Sequence, residues 1–403
     1  MTAQAEGDAV DLTRLPVTPT ELATAIHATP HKMVMAFAGA GAQSLAWLHG
    51  VGGSSRTILA ALDIYSPASM LQLVGFMPAR FTSRRVARAM ARRSRALAAS
   101  YAPASDPVFG LASTATIATD RAKRGDHRVA AAVTDAFGTV TYYLTLEKDA
   151  RDRLGEEEIV SLLLLRAAAD ACGVLARPEL PLVTGEVVET TFMPSDLLGG
   201  LDAGTRDLVV VRPDGVLVSA PEAGPHAVLS GAFNPLHRGH LEMLQAAERH
   251  TGLPGLFEMP LVNADKAPIG LLEARRRAHQ LAGRGPVALT RAPLFVQKAE
   301  LFPGSVFVVG VDTAERILEP RFYGGAEERT RALREVASHG CRFLVAGRLD
   351  NGEGYKTLSN LTLPAGLEDV FEELPETEFR RDVSSTEIRQ RWVEAQARPA
   401  SGG

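Results

Sequence analysis

The sequence predicts two α/β domains in series, the second a doubly wound parallel sheet. Two observations carry that expectation. A chain of 403 residues is long enough for two domains, each burying its own core. Short apolar runs also lead into glycine-bearing loops: Lys32 to Ala38 into Gly39-Ala40-Gly41, Ala227 to Ser230 into Gly231, and Ser305 to Val309 into Gly310. A buried strand, a glycine turn and a helix start is the repeating unit of such a sheet.

Taken in order, residues 1–18 are small, polar and acidic and read as a mobile tail, with order expected from near Thr20. Thr20 to His27 has helical spacing, and Lys32 to Ala38 reads as a buried strand. The arginine run from Arg84 to Arg95 lies in a predicted helix, Ser83 to Ala98, with Val86, Ala87 and Met90 on one face; a solvated basic face explains it without nucleic acid. Glu156 to Cys172 is a leucine-rich helix that closes at Gly173. The first domain is therefore expected over 19–180 and a linker over 181–224. That linker carries a hairpin around Pro213-Asp214-Gly215. The second domain is expected over 225–395, and 396–403 reads as a second mobile tail.

A formal charge of −4 argues against a general binder of nucleic acid or membrane surface. Two cysteines, Cys172 and Cys341, cannot build a disulfide framework. Met33 to Leu48 is too short and too interrupted for a membrane span, and no signal-like segment is seen, so a reducing cytoplasm is the expected setting.

The chemistry-bearing stretch is Ala227 to Leu241, AVLSGAFNPLHRGHL. Gly231 permits a tight turn, Asn234-Pro235 holds the loop extended, and Gly239 opens the next helix. His237 and His240 thus fall at a strand-to-helix junction, where free N–H groups suit phosphate. Solvated loop histidines and half of a zinc site are the other readings; neither cysteine lies near enough in sequence to favour zinc. Downstream, Lys266 follows the apolar stretch Leu256 to Val262, and Gly310 and Asp312 follow the strand Ser305 to Val309. Ser384 and Glu387 have the spacing of a capping box, in a stretch that continues to Arg389.

The residues Gly231, Phe233, Pro235, His237, Gly239 and His240 match the pattern GxFxPxHxGH, and Val383 to Arg389 matches ISSTxIR. Both resemble the nucleotidylyltransferase superfamily. The resemblance implies a Rossmann-like second domain that transfers a nucleotidyl group from a nucleoside triphosphate to a phosphate-bearing acceptor, releasing pyrophosphate. It implies catalytic roles for His237, His240, Lys266 and Arg389. Gly231, Ala232, Phe233, Asn234, Gly239, Gly310, Asp312, Ser384, Ser385 and Thr386 would contact the nucleotide, with Mg²⁺ held by the triphosphate and no metal ligands from the protein. The expected substrates are ATP and nicotinamide or nicotinate mononucleotide. A cytidylyltransferase, a pantetheine-phosphate-type adenylyltransferase and a non-catalytic nucleotide-binding regulator are the alternatives. Many relatives stack the pyridine on tryptophan, but Trp47 and Trp392 are outside the expected loop, leaving Phe295 or Phe302 as substitutes.

Gly53-Ser54-Ser55, Tyr65-Ser66 and the helix from Ser83 resemble the carboxy-terminal domain of the CinA family, whose active members deamidate nicotinamide mononucleotide. Ala38 stands where that family has its serine nucleophile, Met70 where it has a lysine, and Ala115 to Asp120 where it has TGIAGP. Neither methyl nor thioether can attack an amide or activate a nucleophile. The first domain is expected to retain the fold without the amidase chemistry, serving as scaffold or homo-oligomer surface, as ligand sensor, or as a catalyst with relocated residues.

Overall fold

The computed structural model describes residues 17–120, 124–262, 267–350 and 354–380, in two units that divide between Ser195 and Asp196. The first unit opens with helix α1 (Pro19–His27). Thr18 caps it, accepting from the Glu21 N–H, while the Glu21 carboxylate accepts from the Thr18 N–H at 2.8 Å. Val17 is buried, so order begins ahead of the expected Thr20 and 17–18 are not part of a tail. The unit continues through β1 (Lys32–Ala38), α2 (Ala42–His49), α3 (Ser54–Thr57), β2 (Ile58–Asp63), α4 (Pro67–Val74) and α5 (Arg84–Tyr101). It is completed by β3 (Val108–Thr116), β4 (His127–Thr134), β5 (Gly138–Leu146), α6 (Arg153–Ala171) and β6 (Glu189–Pro194).

Its sheet has the order β2-β1-β3-β4-β5-β6, parallel across the first three strands and antiparallel beyond. Residues of α1 and α6 share one core with alternate residues of β1, β3, β4 and β5, and Met70 of α4 and Val86, Ala87, Met90 and Ala91 of α5 form a second core with Ala36, Ala112, Ala130 and Ala132. The fit of α5 to the sheet is close. A Cβ at Gly110 of β3 would lie 2.1 Å from the Ala91 carbonyl oxygen, so only glycine allows that approach. Two arginines of this helix serve the sheet: Arg84 pairs with Glu189 and lies 4.0 Å above the Tyr143 ring, and Arg88 donates to Thr141 at 2.8 Å.

The second unit contains α7 (Asp196–Asp202), β7 (Leu208–Val211), β8 (Leu217–Val218), β9 (Ala227–Ser230), α8 (Arg238–Thr251), β10 (Gly255–Pro260), α9 (Leu271–His279) and β11 (Val287–Thr290). After these come α10 (Phe295–Leu301), β12 (Val306–Gly310), α11 (Val311–Leu318), α12 (Ala326–Ser338), β13 (Arg342–Ala346), a small ribbon of β14 (Arg348–Asp350) and β15 (Gly354–Lys356), and β16 (Phe371–Leu374). The sheet runs β16-β13-β12-β9-β10-β11-β7-β8. From β16 to β11 every pair is parallel, and the hairpin β7–β8 adds antiparallel strands at the β11 edge. Counting only the parallel strands, the chain builds outward from β9 through β10 to β11, then returns to the other side of β9 with β12, β13 and β16. That is the doubly wound arrangement, with its switch point between β9 and β12.

Residues 181–224, expected to be a linker with a hairpin, are divided between the two units. β6 joins the first sheet beside β5, and the hairpin joins the second beside β11. β6 is an edge strand with mostly exposed side chains, so its sequence carries no apolar run to mark it.

His250, in the last turn of α8, ties that helix to the β16 edge: its Nε2 lies 2.8 Å from Glu372 and its Nδ1 3.1 Å from Glu378. The Glu372 carboxylate, against the opposing effect of burial and with help from Glu378, raises the imidazole pKa above 6.5. A folded pKa above the unfolded one means that the stabilisation is complete below pH 6.5 and is lost as pH rises through the folded value. His250→Gln is therefore expected to lower the melting temperature by about 2 °C near pH 6. The gap should close toward pH 9, as measured by calorimetry across a pH series.

Candidate nucleotide site

The loop leaving β9 is held by its own side chains. Phe233 adopts a φ of 44°, in the left-handed region, and its ring is buried edge-on against Phe257 at 5.4 Å and His240 at 5.2 Å between centroids. A Cβ at Gly231 would stand 2.9 Å from that ring, which explains the Gly-x-Phe spacing as a packing requirement. The Asn234-Pro235 peptide is cis.

Gln280, at the end of α9, accepts from the Leu236 N–H at 3.0 Å and donates to the Phe233 carbonyl at 3.3 Å. Arg277 donates to the Ala232 carbonyl at 3.1 Å and pairs with Glu273, as does Arg276. Although burial resists its charge, hydrogen bonds from Arg276 and Arg277 hold the Glu273 carboxyl below its ordinary value. Arg275 is almost fully buried, so none of the three arginines is plain solvated surface.

The rings of His237 and His240 stack at 3.7 Å. The His237 N–H donates to His240 Nδ1 at 3.3 Å, so the neutral His240 ring carries its proton on Nε2 and presents a donor there. Burial first, and the neighbouring His237 second, pull the His240 pKa down to about 3. Gly239 is buried at the start of α8.

Beside this loop lies a cavity of about 520 Å³. Ser230, Gly231, Ala232 and Asn234 form one wall, Pro260, Ala267, Ile269 and Arg277 a second, and Pro293, Leu294, Phe295 and Lys298 a third. Thr313, Arg316 and Ile317 of α11, followed by Phe322 and Tyr323, close it. The cavity thus sits at the carboxyl ends of β9, β10 and β12, over the switch point. Among the described residues, every charged side chain lining it is cationic: Arg277, Lys298 and Arg316. Burial pushes the Tyr323 hydroxyl up to about 12, so the ring presents an un-ionised phenol.

Of the residues expected at a nucleotide, Gly231, Ala232 and Asn234 line the cavity; Phe233 is the packing core of the loop, and His237, Gly239 and His240 form the adjoining helix start. Gly310 ends β12 and is the N-cap of α11, and Asp312 sits in the first turn of α11, paired with Arg348 at 2.7 Å. Lys266, Ser384, Ser385, Thr386 and Arg389 lie outside the described residues. Phe295 reaches the cavity, whereas Phe302 is buried core.

A buried polar cluster of four residues, two of which line the cavity, has no counterpart in the sequence reading. Glu258 of β10 is fully buried; it accepts from Lys298 at 2.7 Å, from the Ser230 hydroxyl and from the Thr290 hydroxyl. Lys298 is 3% exposed and also donates to Ser230 at 2.6 Å. A glutamate inside the apolar strand Gly255–Pro260 was the available signal, because a carboxylate there requires a buried partner.

Residues 228–391 match the cytidylyltransferase-like family. A probable nicotinate-nucleotide adenylyltransferase of Gloeobacter violaceus is 26% identical over 194 residues, covering 42% of this chain and 84% of that protein. Solved structures similar to part of the chain include the competence/damage-inducible protein CihA of Agrobacterium tumefaciens, at 17% identity and a TM-score of 0.31 over 38% of this chain and 94% of that one. A CinA-superfamily protein of Enterobacter cloacae matches at 17% identity and a TM-score of 0.30, over 42% of this chain and 98% of that one. The match spans the switch-point strands and their loops, so the carboxy-terminal unit carries a cytidylyltransferase-like, nucleotidyltransferase-like domain.

Proposed function

We propose that the protein transfers an adenylyl group from ATP to nicotinate or nicotinamide mononucleotide, releasing pyrophosphate. The observation that carries this reading is the cationic, aromatic-walled cavity at the switch point, bordered by the histidine loop. The Gloeobacter relative, named for nicotinate-nucleotide adenylyltransfer, supports the choice of acceptor. In the reaction an acceptor phosphate oxygen bonds to the α-phosphorus of ATP as the bond to the β-phosphate oxygen breaks. The nucleophile is already ionised, so the work is positioning and charge neutralisation.

His240 contributes a neutral Nε2 donor, Arg277 and Arg316 contribute positive charge, and Phe295, Phe322 and Tyr323 offer ring faces. Lys266 and the Ser384 to Arg389 segment complete the phosphate contacts in this proposal. Among the described residues the cavity lining offers no carboxylate to a hard cation; Mg²⁺ carried by the triphosphate would supply positive charge to the leaving pyrophosphate. No described helix is long and apolar enough to cross a membrane, and the cytoplasm is the proposed setting.

Pyrophosphate release measured across ATP, CTP and a panel of phosphorylated acceptors tests the proposal. Turnover is expected with ATP and a pyridine mononucleotide; turnover confined to CTP or to pantetheine phosphate would replace it.

His240→Asn is expected to lower kcat by about 100-fold through loss of a donor that strengthens as charge develops. The same variant has a pH signature. The folded pKa of about 3 lies below the ordinary 6.5, so wild-type stability falls as pH drops between those values while the unfolded chain takes up the proton. Denaturant unfolding from pH 7 to pH 4 should show a shallower decline for the variant, and parallel curves would contradict a buried neutral imidazole.

The first unit is proposed to lack amidase activity. Ala38 closes β1 and Met70 is buried, and neither supplies a nucleophile or an activating group. Ammonia release from nicotinamide mononucleotide is expected to stay at background with purified protein.

A further inference from the structure

The cluster of Lys298, Glu258, Ser230 and Thr290 lies at the cavity floor, and the phosphate-transfer chemistry does not require it. Ser230 closes β9, Thr290 closes β11, Glu258 is the fourth of the six residues of β10, and Lys298 is in α10. Glu258 takes both hydroxyls and the ammonium. The ammonium has three N–H donors, of which Glu258 and Ser230 occupy two, at 2.7 and 2.6 Å. Lys298 nevertheless lines the cavity, with Nζ 4.9 Å from the centroid of the Phe295 ring, which lines it too. The arrangement therefore holds a fixed cation beside an aromatic face, with a donor to spare.

A ligand that fits both features has a planar ring to lie along Phe295 and an anionic substituent to meet Lys298. We infer that Lys298, oriented by Glu258 and Ser230, is a specificity-determining residue that selects an acceptor whose aromatic ring bears a carboxylate over one bearing the corresponding amide. The inference rests on the adenylyltransferase reading above and deepens it: nicotinate mononucleotide, not nicotinamide mononucleotide, is the preferred acceptor. The ammonium gives a charge-assisted hydrogen bond to either acceptor, and to a carboxylate it adds the attraction between opposite charges in a site shielded from water. An acceptor without the negative charge leaves the third N–H facing a weaker partner.

Steady-state kinetics with both mononucleotides, on the full chain, test the assignment. Wild-type kcat/KM should favour the acid at least tenfold, and in Lys298→Met that ratio should fall to about one. Both acceptors carry the same phosphate, so a parallel loss with an unchanged ratio would mean that Lys298 serves the phosphate or the fold, and would overturn the inference. Lys298→Met leaves a buried carboxylate unpaired and risks unfolding; Lys298→Met combined with Glu258→Gln removes both charges and should show the same collapse of the ratio.

Calorimetric titration with each mononucleotide separates this inference from the reading it rests on. Tighter binding of the acid that is lost in the double variant upholds Lys298 as the selector even if no pyrophosphate is released, in which case adenylyl transfer alone fails. Equal affinity for acid and amide in the wild-type protein would remove the selector role whatever the turnover.

Discussion

The reversal of strand order at β9 is the constraint on which the second unit depends. Parallel neighbours cannot be joined by tight turns, so each connection must cross a face of the sheet as a helix or longer segment. Once β10 and β11 have been laid on one side, the return to β12 places two strand ends side by side whose following segments go separate ways. Side chains cannot fill the gap from either connection. The glycine loop after β9 and the Gly310 corner after β12 border that gap, and the 520 Å³ cavity occupies it. Much of the core serves to keep the two strand ends in register: Val228, Phe307 and Phe343 pack beneath α10, α11 and α12, with Phe295 edge-on to Phe307 and Phe343 at 5.2 Å each.

Against this apolar frame the Glu258–Lys298 pair is expensive. Removing two charges from water costs several kcal/mol per ion before their attraction is counted, and an apolar pair of similar volume would often be as stable. Glu258 is in the carboxyl half of β10, and Lys298 reaches it from α10 beside the cavity. Its hydroxyl partners come from both neighbouring strands, Ser230 of β9 and Thr290 of β11, so the ions are fixed by the same register that shapes the crevice. That location beside the cavity is the one the proposed selector role requires.

Strands whose evidence was local were readable in advance. Lys32–Ala38 and Ala227–Ser230 form over the residues that their apolar runs mark, because a proline lies just ahead of each and a glycine follows each. β6 was missed because an edge strand with solvated side chains has no such run. The histidine loop could be located from spacing, but not its supports. Gln280 reaches it from 44 residues downstream of Leu236, and Lys298 meets Glu258 across 40 residues of chain. Such pairings are created by the sheet order, and no local pattern encodes them. The packing role of Phe233 is an intermediate case: the Gly-x-Phe spacing was visible, while its reason, a ring lying where a Cβ would be, needed coordinates.

The two units place comparable loops after a central parallel strand and treat them in opposite ways. In the second unit Gly231, Ala232 and Asn234 face a cavity lined by cations. In the first, the loop after β1 leads into α2 through Gly41, and a side chain already occupies the helix start: the Glu157 carboxylate accepts from the Gly41 N–H at 2.9 Å and the Gln43 N–H at 3.1 Å. Ser161, one turn further along α6, donates to the same carboxylate at 3.1 Å. The amide groups that would attract a phosphate or stabilise an oxyanion are thus satisfied from within the fold. An incoming anion would have to displace Glu157 and meet its charge. With Ala38 at the end of the same strand, this filled helix start is the structural ground for the proposal that the first unit lacks amidase chemistry.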